Sequence, residues 1–377
     1  MQALGGRDPA TGRPLTITIE DGRVAAIDAG APGEACWLAP GFVDLQVNGY
    51  AGHDVNAPDP TPETIGWLAR ALRATGTTSF APTIITASEE RIVAALRAVA
   101  EARAADPLLA RAIPFVHVEG PWISPQDGPR GAHPADQVRP PDLAEFARWR
   151  AACGGLVGMV TLSPHFPGVA DTIAALTGAG VRVAIGHTHA SPQQIAAAAD
   201  AGAVLSTHLG NGAAAVLARH PNLIWAQLAE DRLCASFIAD GHHLPAETLK
   251  SMLRAKGIER SILISDAAAL AGLAPGIYEA EIGGRVELTE DGRLGMAGTP
   301  FLAGAARPLA TGVAFVASFC GVTLGQAVRM ATENPGRFAG VGGRLRVGAP
   351  ADLVRFRWQP GDRDLRIETV LVGGEEE

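Results

Sequence analysis

Ile113-Pro-Phe-Val-His-Val-Glu119 is an apolar run that stops on a carboxylate, and the same figure returns three more times in the chain. Val181-Arg-Val-Ala-Ile-Gly-His187 and Val204-Leu-Ser-Thr-His208 stop on imidazoles, and Ser261-Ile-Leu-Ile-Ser-Asp266 stops on a second carboxylate. Each run has the brevity and aliphatic content of a buried strand. End residues so far apart in sequence can share one site if the runs are parallel strands of one barrel, whose C-terminal rim carries its chemistry. Two carboxylates and two imidazoles suit a hydrolytic metal with its base. A carboxylate placed after Phe-Val-His-Val or after Ile-Leu-Ile-Ser is costly to bury unless it is paired or metal-bound.

Working outward from these four, further strand-like runs fall at Phe42–Val47, Thr78–Pro82, Leu156–Thr161 and Cys234–Ile238. With Ile113–Val118, Val181–Ile185, Val204–Thr207 and Ser261–Ile264 they make eight, alternating with Ala-rich helical stretches such as Pro62–Thr75, Glu89–Ala104, Pro192–Ala201 and Ala246–Ala255. Thr61 is the N-cap of the first stretch, with proline at its first position and Gly76 beyond its end. That alternation predicts an α/β chain with a (β/α)8 TIM-like barrel over residues 41–339. A doubly wound open sheet is the rival, but it gives no reason for polar residues at so many strand ends. Leu15–Ile19 and Arg23–Ile27 flank Glu-Asp-Gly as a hairpin, and Gly343–Phe356 and Leu365–Val372 are similar in character. Neither end can bury a core alone, so residues 1–40 and 340–377 are expected to form one small β-sandwich domain. Val286–Leu294 reads as a hairpin inserted after the eighth strand.

Hydrophobic residues make up 47% of the 377, enough for a barrel of about 250 residues with a satellite. A net charge of −8 argues against nucleic acid as a partner, though a small anion needs only one or two local cations. The start lacks the basic end and apolar stretch of a signal peptide, and no uncharged apolar run reaches about 18 residues, so no membrane partner and a cytoplasmic location are expected. Cys36, Cys153, Cys234 and Cys320 are scattered, as reduced thiols would be.

A longer series of motifs then follows in order: Pro40-Gly-Phe-Val-Asp-Leu-Gln-Val-Asn-Gly49, His117-Val-Glu-Gly-Pro121, Gly131-Ala-His-Pro134, Ile185-Gly-His-Thr188, Thr207-His-Leu-Gly-Asn211, Ala239-Asp-Gly-His-His243, Ile264-Ser-Asp-Ala267, Leu302-Ala-Gly304 and Asn334-Pro335. The series resembles the N-acetylglucosamine-6-phosphate deacetylases of the metal-dependent amidohydrolase superfamily, over nearly the whole chain. The resemblance implies one divalent metal ion per chain, zinc or iron, held by Glu119, His187 and His208. Most amidohydrolases carry a His-x-His pair on the first strand, where both side chains share one face. Here Gln46 and Asn48 stand there, and neutral amides are poor ligands for such ions. The resemblance turns them towards substrate. It makes His133 the donor to the substrate carbonyl and Asp266 the proton shuttle. Arg219 and His243 would hold the phosphate of a small-molecule amino-sugar phosphate, with Asn211 and the Gly212 backbone beside it. It also implies a homodimer with phosphate contacts near the subunit boundary.

The chain departs from the family around the sugar rather than the metal. His165 ends Thr-Leu-Ser-Pro-His where a glutamate is common, and Ala305 stands where serine usually follows Leu-Ala-Gly. Gly210 and Gly212 lie in a stretch that is bulkier in the family, and His189 replaces a smaller polar residue. Hydrolysis of an acetamide is therefore better specified than the sugar. Another N-acyl amine or the galactosamine isomer is one alternative, since fold alone does not choose. A metal-binding protein without catalysis is the other, and Asp266 argues against it because binding alone needs no base.

Overall fold

The computed structural model describes residues 1–280 and 284–376. Eight parallel strands follow one another around a barrel: Phe42–Val47, Thr77–Ile85, Val116–Glu119, Val157–Leu162, Arg182–Ile185, Leu205–Ser206, Cys234–Ile238 and Ser261–Ile264. The eighth returns to the first through a Val47–Ala267 bridge and an Asp266 N–H to Gln46 carbonyl bond of 3.0 Å. Every residue of the first strand is buried, as expected of a parallel strand covered on both faces.

The second strand runs past the proline that seemed to end it. Its pairing with the first strand reaches Pro82, and its pairing with the third begins at Thr83. The missing N–H therefore falls where one ladder hands over to the other. This extension carries the chain to Thr86, whose hydroxyl matters below.

Local chemistry sets the helix starts. Thr61 caps Pro62–Arg73 in a reciprocal box with Thr64, and Ser191 caps Pro192–Asp200 with Gln194. Gly76 takes φ +90 where the chain leaves the first of these helices, and a Cβ there would stand 3.0 Å from Phe42 and Val354. The hairpin read after the eighth strand is the middle of a four-stranded antiparallel sheet, with Gly276–Ala280 and Leu302–Ala305 on its flanks.

Both ends of the chain enter one seven-stranded sheet. Trp37–Pro40 pairs with Leu353–Arg357, so segments from opposite ends lie side by side. Ile17, Leu38, Leu353 and Leu371 form its own core, while Phe356 packs against Phe42 of the barrel at 6.4 Å between ring centroids. All four cysteines are free, and no helix among the described residues is long and apolar enough to cross a membrane.

Trp122, three residues past Glu119, stacks on Trp149 of the helix Leu143–Ala152 at 5.0 Å, with both rings fully buried. The Trp122 indole N–H donates to Glu145, which Arg139 also engages. This packing ties down the long segment that bears His133. Trp149→Ala should therefore lower unfolding free energy by about 3–5 kcal/mol in a denaturant titration, the cost of deleting a buried aromatic. A loss below about 1 kcal/mol would contradict this packing account.

Candidate active site

Glu119 is the last residue of the third strand, while His187, His208 and Asp266 each lie two residues beyond the fifth, sixth and eighth strands. The same offset has a backbone signature. His187 has φ 46°, His208 φ 30° and Asp266 φ 50°, three of the five non-glycine residues with positive φ among the described residues. The left-handed region costs an ordinary residue about 1–2 kcal/mol. Here it turns three side chains at the ends of three strands towards one carboxylate.

That carboxylate is nearly inaccessible, with Glu119 3% exposed. Its Oε1 lies 2.8 Å from His208 Nε2, 3.3 Å from His187 Nε2 and 3.0 Å from the Gln46 amide nitrogen. Burial pushes the carboxyl up, but the two imidazoles beside it hold it well below the ordinary value. Burial likewise opposes charge on His208, and the hydrogen bond with Glu119 outweighs it, so its pKa is raised.

The protons can be placed from their partners. His187 Nδ1 lies 2.9 Å from the Pro129 carbonyl, which only accepts, so this nitrogen carries the hydrogen. With that hydrogen on Nδ1, Nε2 is the nitrogen His187 turns to Glu119. His133 Nε2 lies 3.2 Å from His187 Nε2, and its Nδ1 lies 2.8 Å from the Thr86 hydroxyl. Burial, and after it the neighbouring His187, push the His133 pKa down to about 3. His133 is thus a neutral imidazole with its Nε2 aimed into the cluster.

A divalent cation fits these donors. The Pro129 carbonyl fixes His187 as outer partners do for metal-bound imidazoles. Glu119, His133 and His187 offer ligand atoms all within 4.8 Å of one another, and His208 Nε2 meets the same Glu119 oxygen. Both sets contain Glu119 and His187. His133 and His208 differ in their second nitrogens, Nδ1 of His133 lying on the Thr86 hydroxyl.

Gln46 and Asn48 have their amide nitrogens on carboxylates. Gln46 donates to Asp266 Oδ1 at 3.0 Å as well as to Glu119, and Asn48 donates to the same Asp266 oxygen at 2.7 Å. Burial, followed by the charge of Glu119, raises the Asp266 carboxyl to about 6.

The remaining residues divide. Gly212 packs on the flat of His187, and a Cβ there would stand 2.8 Å from Nδ1. Asn211 turns its amide back to the His208 carbonyl at 3.3 Å. His243 is held through Nδ1 by Asp240 at 2.7 Å, which also accepts the backbone N–H groups of His242 and His243. Burial would raise Asp240, but the His243 bond takes it down to about 2. Arg219 is exposed and has no hydrogen bond or ion pair among the described residues, so the fold does not bring it into the cluster. His165 and His189 face each other at 4.2 Å, with their Nδ1 atoms 2.6 Å from the hydroxyls of Ser163 and Ser124. Sequence reasoning missed Thr86, Pro129 and Asp240, of which only Asp240 lay in a motif that could have pointed to it.

The amidohydrolase family model matches residues 37–376, almost the whole chain. The chain belongs to the amidohydrolase family. Among curated relatives of this amidohydrolase, the N-acetylgalactosamine-6-phosphate deacetylase of Escherichia coli O157:H7 is 33% identical, with 95% of this chain and 93% of that protein covered. The N-acetylglucosamine-6-phosphate deacetylase of Bacillus subtilis (strain 168) is 31% identical, covering 90% of this chain and 87% of its own length. A crystal structure of N-acetyl-D-glucosamine-6-phosphate deacetylase from Mycobacterium smegmatis superposes with a TM-score of 0.89 at 32% identity, over 100% of both chains.

The packing on His187 yields a test. Gly212 has φ +57, so Gly212→Ala is strained and its methyl pushes the imidazole off its place. Divalent-ion affinity, measured by competition with a chelator, should fall by about 10–100-fold, the usual loss when a ligand's orienting partner is disturbed. Unchanged affinity would show that His187 does not hold the ion in this orientation.

Proposed function

We propose that this amidohydrolase hydrolyses the acetamide of N-acetylglucosamine 6-phosphate to glucosamine 6-phosphate and acetate. The observation that carries the reading is the buried Glu119 carboxylate with two imidazoles on one oxygen, in a chain alike over its length to amino-sugar-6-phosphate deacetylases. The galactosamine isomer is the second reading, favoured by the 33% identity to an N-acetylgalactosamine-6-phosphate deacetylase.

One divalent ion, zinc or iron, is assigned to Glu119, His187 and His208. The Gln46 amide supports a single ion, because it lies 3.0 Å from both Glu119 and Asp266 and offers N–H donors where a second cation would balance them. When bound, the ion supplies Lewis acidity towards water and the amide carbonyl.

The protein's own groups do the rest. His133, neutral and carrying its hydrogen on Nε2, donates to the substrate oxygen as negative charge grows there. Asp266, raised to about 6, is ionised at neutral pH and still basic enough to take a proton from the attacking water. Gln46 and Asn48 both bond its Oδ1, which fixes the carboxylate and leaves Oδ2 for proton transfer. Asp266 then returns the proton to the departing nitrogen, since an amine anion is too basic to leave unprotonated. The phosphate is assigned to Arg219 and His243, beside Asn211 and the Gly212 backbone. His243 has its Nδ1 bound to Asp240 and Nε2 left for a ligand, and Arg219 is an exposed cation with its fork unused. The same reading makes the protein a cytoplasmic homodimer, with Arg219 near the subunit boundary.

Asp266→Asn keeps the shape and removes the base. The metal-loaded variant should lose about 10²–10⁴-fold in kcat while keeping its ion. In the wild type, kcat should fall as the pH drops through about 6 or below, where Asp266 takes a proton and ceases to be a base, since a nearby cation draws the midpoint downwards. Near-normal turnover by Asp266→Asn, with the same acid limb, would assign the proton to another group.

Arg219→Ala tests the phosphate. A hydrogen bond to a charged group contributes about 1.5–3 kcal/mol, so kcat/KM for the phosphorylated sugar should fall by about 10–100-fold. Activity on unphosphorylated N-acetylglucosamine should change much less. Equal handling of both sugars by the wild type would remove phosphate from the reading and leave deacetylation standing.

A further inference from the structure

Seven junctions of the barrel are strand-to-strand ladders, and the eighth is not. Between the eighth and first strands the backbone bonds run only from Asp266 N–H to Gln46 and from Asn48 and Gly49 to Ala267. One step earlier, at Ser265, the acceptor is a side chain. Asp44, fully buried on the first strand, receives the Ser265 N–H at 3.2 Å on Oδ1 and 3.3 Å on Oδ2. The same Oδ1 receives the Gln46 N–H at 3.3 Å. One carboxyl thus holds the backbone of the residue before Asp266 and of the residue whose amide joins Asp266 to Glu119.

We propose that Asp44 is a positioning residue for the hydrolysis: it closes the seam between the eighth and first strands and so sets Asp266 and Gln46 in register with Glu119. The need for it follows from the backbone. Asp266 sits at φ 50°, a strained conformation that persists only where its surroundings fix it, and the Gln46 and Asn48 groups that bond it serve only while the first strand stays in register with it. Ala267 is fixed by the Val47 bridge and by its N–H bond to Ser265 Oγ at 3.1 Å, and Ser265 itself is fixed by Asp44. Without an acceptor at position 44, two buried N–H groups on facing strands lose their common partner. The junction then loses one of its few ties at the level of the base. Burial pushes the Asp44 carboxyl up to about 7, so an amide, whose single oxygen can accept both N–H groups through the Oδ1 position, is a fair replacement.

The test separates positioning from general stability. Asp44→Leu keeps the branched shape without an acceptor, and kcat should fall by at least about 30-fold, as small misplacements of reacting groups do, with KM changed far less. Asp44→Asn should stay within about fivefold of the wild type, the worth of one ordinary hydrogen bond. Because Asp44 acts through Asp266, adding Asp44→Leu to Asp266→Asn should cost almost nothing further. If Asp44→Leu does not fold, Asp44→Ser, too short to span the seam, takes its place in the same cycle. The inference is overturned if the two losses multiply, if Asn is as damaged as Leu, or if Leu keeps its kcat. It rests on Asp266 as the base, and the cycle is run on whichever N-acyl amide the wild type hydrolyses. An error in the sugar assignment therefore leaves it decisive.

Discussion

The structure depends on keeping one negative charge out of water. Glu119 ends a strand in the apolar interior, where an isolated carboxylate costs many kcal/mol and so demands partners. His187, His208 and Gln46 are those partners, drawn from the fifth, sixth and first strands. Gln46 passes the constraint to Asp266 on the eighth, and His187 passes it to His133 in the loop after the third. The site is therefore one connected set of mutual requirements. Glu119, His133 and His187 also offer ligand atoms close enough together for one metal ion.

The strained residues show what that connection requires. Regular strand backbone would send His187, His208 and Asp266 on along their strands, and positive φ at all three turns them across the rim. Together the three turns cost a few kcal/mol by ordinary scales. Such strain persists where the surroundings fix it, and each residue has such a hold: Gly212 against the His187 ring, Ser236 on the His208 N–H, and the Gln46 carbonyl on the Asp266 N–H.

Much of this was legible in the sequence, for definite reasons. Eight buried strands read as aliphatic runs, and the four rim residues stood out because ionisable groups rarely end such runs without a purpose. The partners were harder to see. Thr86 lies beyond a proline that reads as a strand end, and its value depends on a ladder changing sides there. Pro129 contributes only a carbonyl, which every residue has. The nitrogens of the amides at 46 and 48 lie on the carboxylates of Glu119 and Asp266, an arrangement that appears only once the first, third and eighth strands are assembled. Arg219 remains unassigned by the fold because an exposed loop cation leaves no packing signature.

The sheet built from both ends has a consequence for the order of folding. Trp37 donates its indole N–H to the carbonyl of Trp358, 321 residues further along, and the strand holding Trp37 is separated from the first barrel strand by Gly41 alone. Loop closure over such a span is entropically late, and topologies rich in remote pairings are slow to form. The strand Trp37–Pro40 must wait with an open edge until Leu353–Arg357 arrives beside it. The joining of the two ends of the chain in one sheet is therefore a late step of folding.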